Sequence, residues 1–133
     1  MERQRVSTGT KWERDNGYSR AVRAGNLIFV SGTLAAGPDG NIIEPNSAYK
    51  QTLYALEKAE RALIELGASR RDVVRTRLYV ISMNHDREVG RAHAEFFGDV
   101  MPCCTLIGVH QLASGLASIE VELDAVVDTP SNG

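Results

Sequence analysis

Only two cysteines occur among the 133 residues, and they are neighbours, Cys103 and Cys104. A disulfide between adjacent cysteines closes a strained ring, so no ordinary staple is available, and a reducing compartment is the simpler expectation. Long apolar runs are also missing: nothing approaches the roughly 18 residues a membrane span needs, and Met1 to Arg5 leads into no apolar stretch of signal-peptide length. These absences predict a cytoplasmic protein with no membrane partner. Charge of neither sign dominates, since 15 basic and 17 acidic residues leave a net charge of -2. A broad positive field for nucleic acid is therefore absent, and aromatics are few, 6% of residues, with no aromatic-basic stripe. No G-x-x-x-x-G-K-[ST] and no G-x-G-x-x-G opening a helix occurs, and neither does a G-x-S-x-G elbow. His85, His93 and His110 fall in no H-x-x-x-H or H-x-H spacing, so neither an organic cofactor nor a metal is expected.

What the chain does hold is the composition of one soluble globular domain, 43% apolar and 24% charged, long enough to bury a core unaided. The domain is expected over residues 1–133, with its core at about 16–127 and a loose tail at 129–133. Residues 3–8 read as a short edge strand. The polar stretch from Thr8 to Asn16 reads as a loop, with Trp12 its only large apolar group. Residues 18–24 and 27–31, separated by Gly25-Asn26, read as a hairpin, because that pair tolerates the positive φ of a tight turn. Gly37-Pro38-Asp39-Gly40 breaks the chain.

Between residues 47 and 66 the apolar positions Tyr49, Leu53, Leu56, Ala59, Leu63 and Leu66 recur at steps of three and four, with charged residues, Lys58 among them, elsewhere around the wheel. That is an amphipathic helix, ended by Gly67. A β-branched strand follows over 73–81, then a second helix over 86–97 stopped by Gly98. The last third supplies two strands. One starts after Pro102, where a proline forfeits no ladder hydrogen bond. The other alternates Ile119, Val121 and Leu123 with Glu120, Glu122 and Asp124, the period-two pattern of a strand between unlike surroundings. With a short turn at 113–117 between them, the two limbs read as a closing hairpin. The predicted architecture is α+β, a sandwich in which two helices cover one face of a sheet. The other face is expected to carry Glu120, Glu122 and Asp124 with Arg75 and Arg77, too charged for a core and too apolar elsewhere to stay wet, which predicts an assembly with polar clefts between subunits.

Pro102-Cys103-Cys104-Thr105 and Ile119-Glu120-Val121-Glu122, together with Gly17-Tyr18-Ser19-Arg20-Ala21-Val22, Phe29-Val30-Ser31-Gly32 and Asp72-Val73-Val74-Arg75-Thr76, occur in an order that resembles the reactive intermediate deaminase, or YjgF-like, family. The resemblance covers about residues 16–127. It implies a chorismate-mutase-like subunit with a mixed sheet, a homotrimer, and a small-molecule site in each of three inter-subunit clefts. In the deaminase branch a Pro-x-Arg-Ser/Thr motif supplies an arginine that grips a substrate carboxylate. Cys104 stands in its place here, so the resemblance supports the family more strongly than the activity.

Glu120 is the candidate catalytic residue. A carboxyl on a strand in a partly closed cleft has its pKa raised by desolvation and can move protons near neutrality. Its plain reading is a glutamate paired with an arginine; the resemblance places it where the family has an acid that orients or activates water. The candidate substrate-binding residues are Tyr18, Arg20, Ser31, Gly32, His93, Cys104 and Thr105. By the resemblance Tyr18 borders the substrate, Ser31 and Gly32 form the Ser-Gly turn whose backbone N–H groups and hydroxyl can hold an anion, His93 stands at a ligand-bordering tyrosine, and Gly90 at an asparagine. The plain readings are a cross-strand aromatic, an ordinary turn and a structural helical histidine. Cys104 is a nucleophile if a cation holds its thiolate, and otherwise a small hydrophobe. Arg20 shares a face with Tyr18 by i, i+2 spacing and can replace the missing clamp, with Arg75 and Arg77 as rivals.

Three functions follow. The first is hydrolysis of an enamine or imine with release of ammonia, on a substrate other than a standard 2-imino acid. The second is a non-catalytic metabolite-binding or regulatory trimer on the same scaffold. The third, an endoribonuclease, follows older naming within the resembled family, and the net negative charge counts against it.

Overall fold

The computed structural model describes residues 2–128. Six strands and three α-helices follow in the order β1 (Arg3–Val6), α1 (Lys11–Asn16), β2 (Ala21–Ala24), β3 (Leu27–Leu34), α2 (Ala48–Glu65), β4 (Val73–Val80), α3 (Asp86–Phe97), β5 (Cys103–Gly108) and β6 (Ile119–Val126). The strands form one mixed sheet in the spatial order β1-β2-β3-β6-β4-β5. The tail predicted at 129–133 lies outside the described residues.

The helices form as the residue spacing requires. Ser47 caps α2 by accepting from Lys50 N–H, and Gly67, at φ 87°, provides the left-handed turn that lets Ala68 N–H reach Leu63 O. Along α2 the side chains of Ala55, Leu56, Ala59 and Leu63 are wholly buried. The two alanines keep the helix close to the sheet, while the leucines fill the space against Ile119, Val121 and Leu123 of β6. Each such leucine contributes about 1.5–3 kcal/mol by leaving water. From α3, Val89, Phe96 and Phe97 complete this core. Arg70 ties the helices together, clamping Glu60 of α2 at 2.7 Å, donating to Phe96 O of α3 at 2.9 Å and lying 3.8 Å over the Phe96 ring.

Two expectations are corrected. The stretch from Thr8 to Asn16 is not all loop: Lys11–Asn16 is helical, capped by the Thr10 hydroxyl accepting from Glu13 N–H and ended by Gly17 at φ 69°. The closing hairpin does not exist either. β4 lies between β5 and β6, pairing Thr76 with Cys104 in parallel and with Leu123 in antiparallel register. The unit β4-α3-β5 sets β5 parallel beside β4 at the sheet edge, and the segment 109–118 then carries the chain past β4 to the centre. Gln51, itself wholly buried, anchors that return: its side-chain amide donates to Glu44 O and Leu116 O, and its carbonyl accepts from Ser118 N–H at 2.9 Å. Thus Leu116 and Ser118, just before β6, are held against α2.

The face away from the helices carries two kinds of surface. Arg77 bridges Glu122 and Asp124 at 3.3 Å each, and Tyr79 OH donates to Glu122 at 3.0 Å. Beside this ladder Leu27, Phe29 and Val126 stand 46%, 47% and 39% exposed. Among the described residues no helix is long and apolar enough to cross a membrane.

Candidate functional site

At the end of the β3–β6 pair a cleft of about 440 Å³ opens between the Thr8–Trp12 region, the Gly37–Gly40 turn and Ala113-Ser114. Tyr18, Arg20, Gly32 and Glu120 all line it. Four of the residues singled out in the sequence are therefore brought together within one chain.

Glu120 projects from β6, with Leu34 of β3 and Tyr79 of β4 as its neighbours in register. Its carboxylate crosses directly over Gly32: a Cβ there would lie 2.8 Å from Glu120 Oε2. Burial pushes the Glu120 pKa up, the Arg20 charge opposes that, and the neighbouring Glu122 adds to it. The result is a carboxyl raised above its ordinary range and open to the cleft, the property a proton shuttle needs.

Arg20 is buried and turned inward. Its Nη1 donates to Gly32 O at 2.7 Å and to Thr33 Oγ1 at 3.0 Å, Nη2 reaches Tyr18 OH at 3.5 Å, and Nε lies 3.5 Å from Glu13 Oε2. The guanidinium also sits 5.7 Å over the Tyr18 ring. Glu13 is the hub on the other side, accepting from Ser7 Oγ, Thr8 N–H and Thr8 Oγ1. Burial raises the Glu13 pKa, but the hydrogen bonds from Thr8 and Ser7 and the Arg20 charge outweigh it, so the carboxyl is held below its ordinary value. Glu13 was missed in the sequence; the available signal was Thr10-x-x-Glu13, the N-terminal signature of a short helix.

Ser31 is not among the residues lining the cleft. Its hydroxyl donates to Ser19 O at 2.8 Å and its N–H to Arg20 O at 2.9 Å, so both donors serve the β-structure within the chain. His93, Cys104 and Thr105 are elsewhere. His93 Nε2 lies 2.8 Å from Thr76 Oγ1, its ring packs on Phe97 at 4.7 Å, and burial pushes its pKa down. Cys104, next to Thr76 in register, belongs to that same helix-side face and is exposed. Glu120 is on the opposite face. Thr105 pairs with Arg77 on the Glu120 side, at the exposed sheet edge. Of the rival clamps, Arg75 leans toward Asp124 at 3.9 Å and Arg77 toward both acids of β6. Among the described residues no three His, Cys, Asp or Glu side chains converge on a metal position.

Lys58 was also missed. It reaches the cleft from α2 and donates from Nζ to Ala36 O at 3.0 Å.

Comparison with known proteins gives one consistent answer. A family model described as endoribonuclease L-PSP matches residues 9–127. A protein of Streptomyces coelicolor is 36% identical over 121 residues, spanning 91% of this chain and 90% of its own. A RutC family protein of Pyrococcus abyssi is 29% identical over 109 residues, spanning 82% of this chain and 84% of its own. Among solved structures, a member of the YjgF/YER057c/UK114 family from Mycobacterium tuberculosis superimposes with a TM-score of 0.86 at 40% identity, covering 95% of this chain and 100% of that one.

Proposed function

The chain belongs to the YjgF, or endoribonuclease L-PSP, family, and from that premise we propose that it is an imine or enamine hydrolase whose proton-handling group is Glu120. One observation carries the reading: a carboxyl with a raised pKa lies over a glycine in a small-molecule-sized cleft. In the proposed reaction the Glu120 carboxylate takes a proton from water as the water oxygen bonds to the imine carbon. The resulting carbinolamine receives that proton on nitrogen, the C–N bond breaks, the remaining hydroxyl proton is released, and a carbonyl compound and ammonia leave. Imines hydrolyse unaided, so a held water and one positioned acid-base group supply the acceleration required. The scheme uses no cofactor.

We further propose a cytoplasmic homotrimer in which a neighbour's open sheet face closes the cleft. The exposed Leu27, Phe29 and Val126 supply apolar area for that contact, and the two exposed free cysteines suit a reducing compartment. His93, Cys104 and Thr105 are proposed to border the ligand only from such a neighbour, since one chain does not bring them to Glu120. A second reading, a metabolite binder without turnover, is favoured by the engagement of Arg20 and of both Ser31 donors inside the chain. An endoribonuclease activity is disfavoured by the net charge of -2.

The deciding experiment is ammonia release from freshly generated imines by wild type, Glu120→Gln and Cys104→Arg. The hydrolase predicts turnover by wild type that Glu120→Gln loses. Equal inertness of all three beside an active relative rejects it, and retained ligand binding in that case selects the second reading.

A further inference from the structure

The cleft contains more charged groups than the proposed reaction uses, and most are already matched. Arg20 is matched by Glu13. Lys11, at the rim, lies 3.8 Å from Asp15. Asp39 is turned to its own loop, accepting from Asn41 N–H at 2.9 Å and from the Asn41 side-chain amide at 3.0 Å. Glu120 faces the Arg20 charge, which partly offsets the rise that burial imposes on its pKa. That leaves the Lys58 ammonium. It is half-buried, and among the described residues it makes no ion pair; its hydrogen bond is to the neutral carbonyl of Ala36. An ammonium has three N–H donors, so two remain when one is bound to Ala36 O. A half-buried cation without a counter-ion has lost part of its hydration without recovering it, and an anion entering the cleft would return what burial removed.

The rest of the wall defines the other end of that ligand. Trp12, Leu34 and Ile42 line the same cleft, and Trp12, the only large apolar group between Thr8 and Asn16, is 62% exposed. Apolar side chains beside a few polar anchors are the ordinary composition of a pocket for a small organic molecule.

We propose that Lys58 is the anion-binding residue of this cleft and that its ligand is a small carboxylate with an apolar tail, the tail lying toward Trp12, Leu34 and Ile42. The proposal rests on the cleft being the small-molecule site, and it assigns the specificity-determining residue: the ligand's carboxylate is gripped from α2 and not from the β5 position where Cys104 stands. Lys58 thereby sets specificity while Glu120 moves protons. The carboxylate is drawn to the one cation of the lining that, among the described residues, makes no ion pair.

The test measures binding, not turnover, so its failure is distinct from failure of the hydrolase reading. Phenylacetate and phenylacetamide have the same shape and differ in charge. Titration calorimetry at neutral pH is expected to show wild type binding phenylacetate more tightly than phenylacetamide by roughly tenfold to a hundredfold, the size of one charge-assisted hydrogen bond to a partly buried partner. Lys58→Gln should erase that preference and leave phenylacetamide affinity unchanged. Lys58→Arg, which keeps the charge, should retain most of it and controls for folding. Wild type with no preference for phenylacetate, no binding of it at all, or a Lys58→Gln protein that keeps the preference would each overturn the assignment.

Discussion

Gly32 and Glu120 occupy one another's space: the Cβ missing from Gly32 would sit 2.8 Å from Glu120 Oε2 and 3.0 Å from its carboxyl carbon. The glycine is needed for room and not for backbone conformation, since its φ is not among the positive values. Real Cβ atoms do not approach this closely, and the group that yields is the flexible end of a glutamate. Gly32→Ala is therefore expected to fold with a nearly unchanged thermal midpoint while displacing the carboxyl. A displacement near 1 Å is worth about a hundredfold in rate, so kcat should fall by roughly that factor. Wild-type turnover in the variant would show that the position of Glu120 over Gly32 is irrelevant to activity.

The contact between Glu13 and Arg20 is the other charge relationship that shapes the cleft. With the two side chains only 2% and 10% exposed, replacing Glu13 by Gln leaves a buried guanidinium without its counter-ion. The expected cost is about 3 kcal/mol, read from urea unfolding at neutral pH. Its pH dependence has a definite sign. Glu13 titrates below its unfolded value, so the stability it adds is fully present above about pH 4.3 and is lost as pH falls through the lower folded value. The gap between wild type and Glu13→Gln should thus narrow steadily in acid. A gap that stays constant from pH 7 to pH 2 would assign the loss to packing and not to charge.

How much of this was legible depended on the length scale of the pattern. The helices α2 and α3 declare themselves because several turns of periodic apolar residues end at Gly67 and Gly98, and the β2–β3 hairpin because Gly25-Asn26 fits its turn. α1 is too short for periodicity to register, and only its Thr10-x-x-Glu13 cap marked it. Alternation in β6 told which side chains share a face but not which strands stand beside it, so β4 was missed as the intervening neighbour. Glu120 and Tyr18 were reachable through family resemblance. Lys58 was not: on the helical wheel it is one charge among several, and it becomes special only when the 36–42 segment, joined by the Ala36–Ile42 bridge, folds beside it.

The homotrimer is tested by Phe29, which is 47% exposed on the sheet face and adjacent in register to Asp124. A glutamate at that position would place two carboxylates side by side in any contact that buries the face, where removing them from water is costly. Light scattering should find wild type at three times the chain mass and Phe29→Glu at the chain mass, with the far-ultraviolet dichroism of the two alike. A monomeric wild type sinks the trimer directly.

Glu120 should govern the pH profile. As the base it must be ionised, so kcat/KM for an imine, corrected for spontaneous hydrolysis, is expected to rise through a pKa above the ordinary carboxylate value, because burial raises it. Glu122 raises it further and Arg20 lowers it. Glu122→Gln should accordingly move the rising limb to lower pH, and Glu120→Gln should remove the limb. Stability runs the opposite way from activity. A carboxyl whose folded pKa is raised binds its proton more tightly in the native state, so the protein loses stability as pH climbs from about 4.3 through the folded value. Above that value Glu120→Gln should be more stable than wild type and inactive, the pairing of gain and loss that marks a functional group held in an unfavourable setting. A variant that is both inactive and destabilised at neutral pH would instead make Glu120 a structural residue, and the proton-transfer role would pass to no other carboxyl lining this cleft except Asp39.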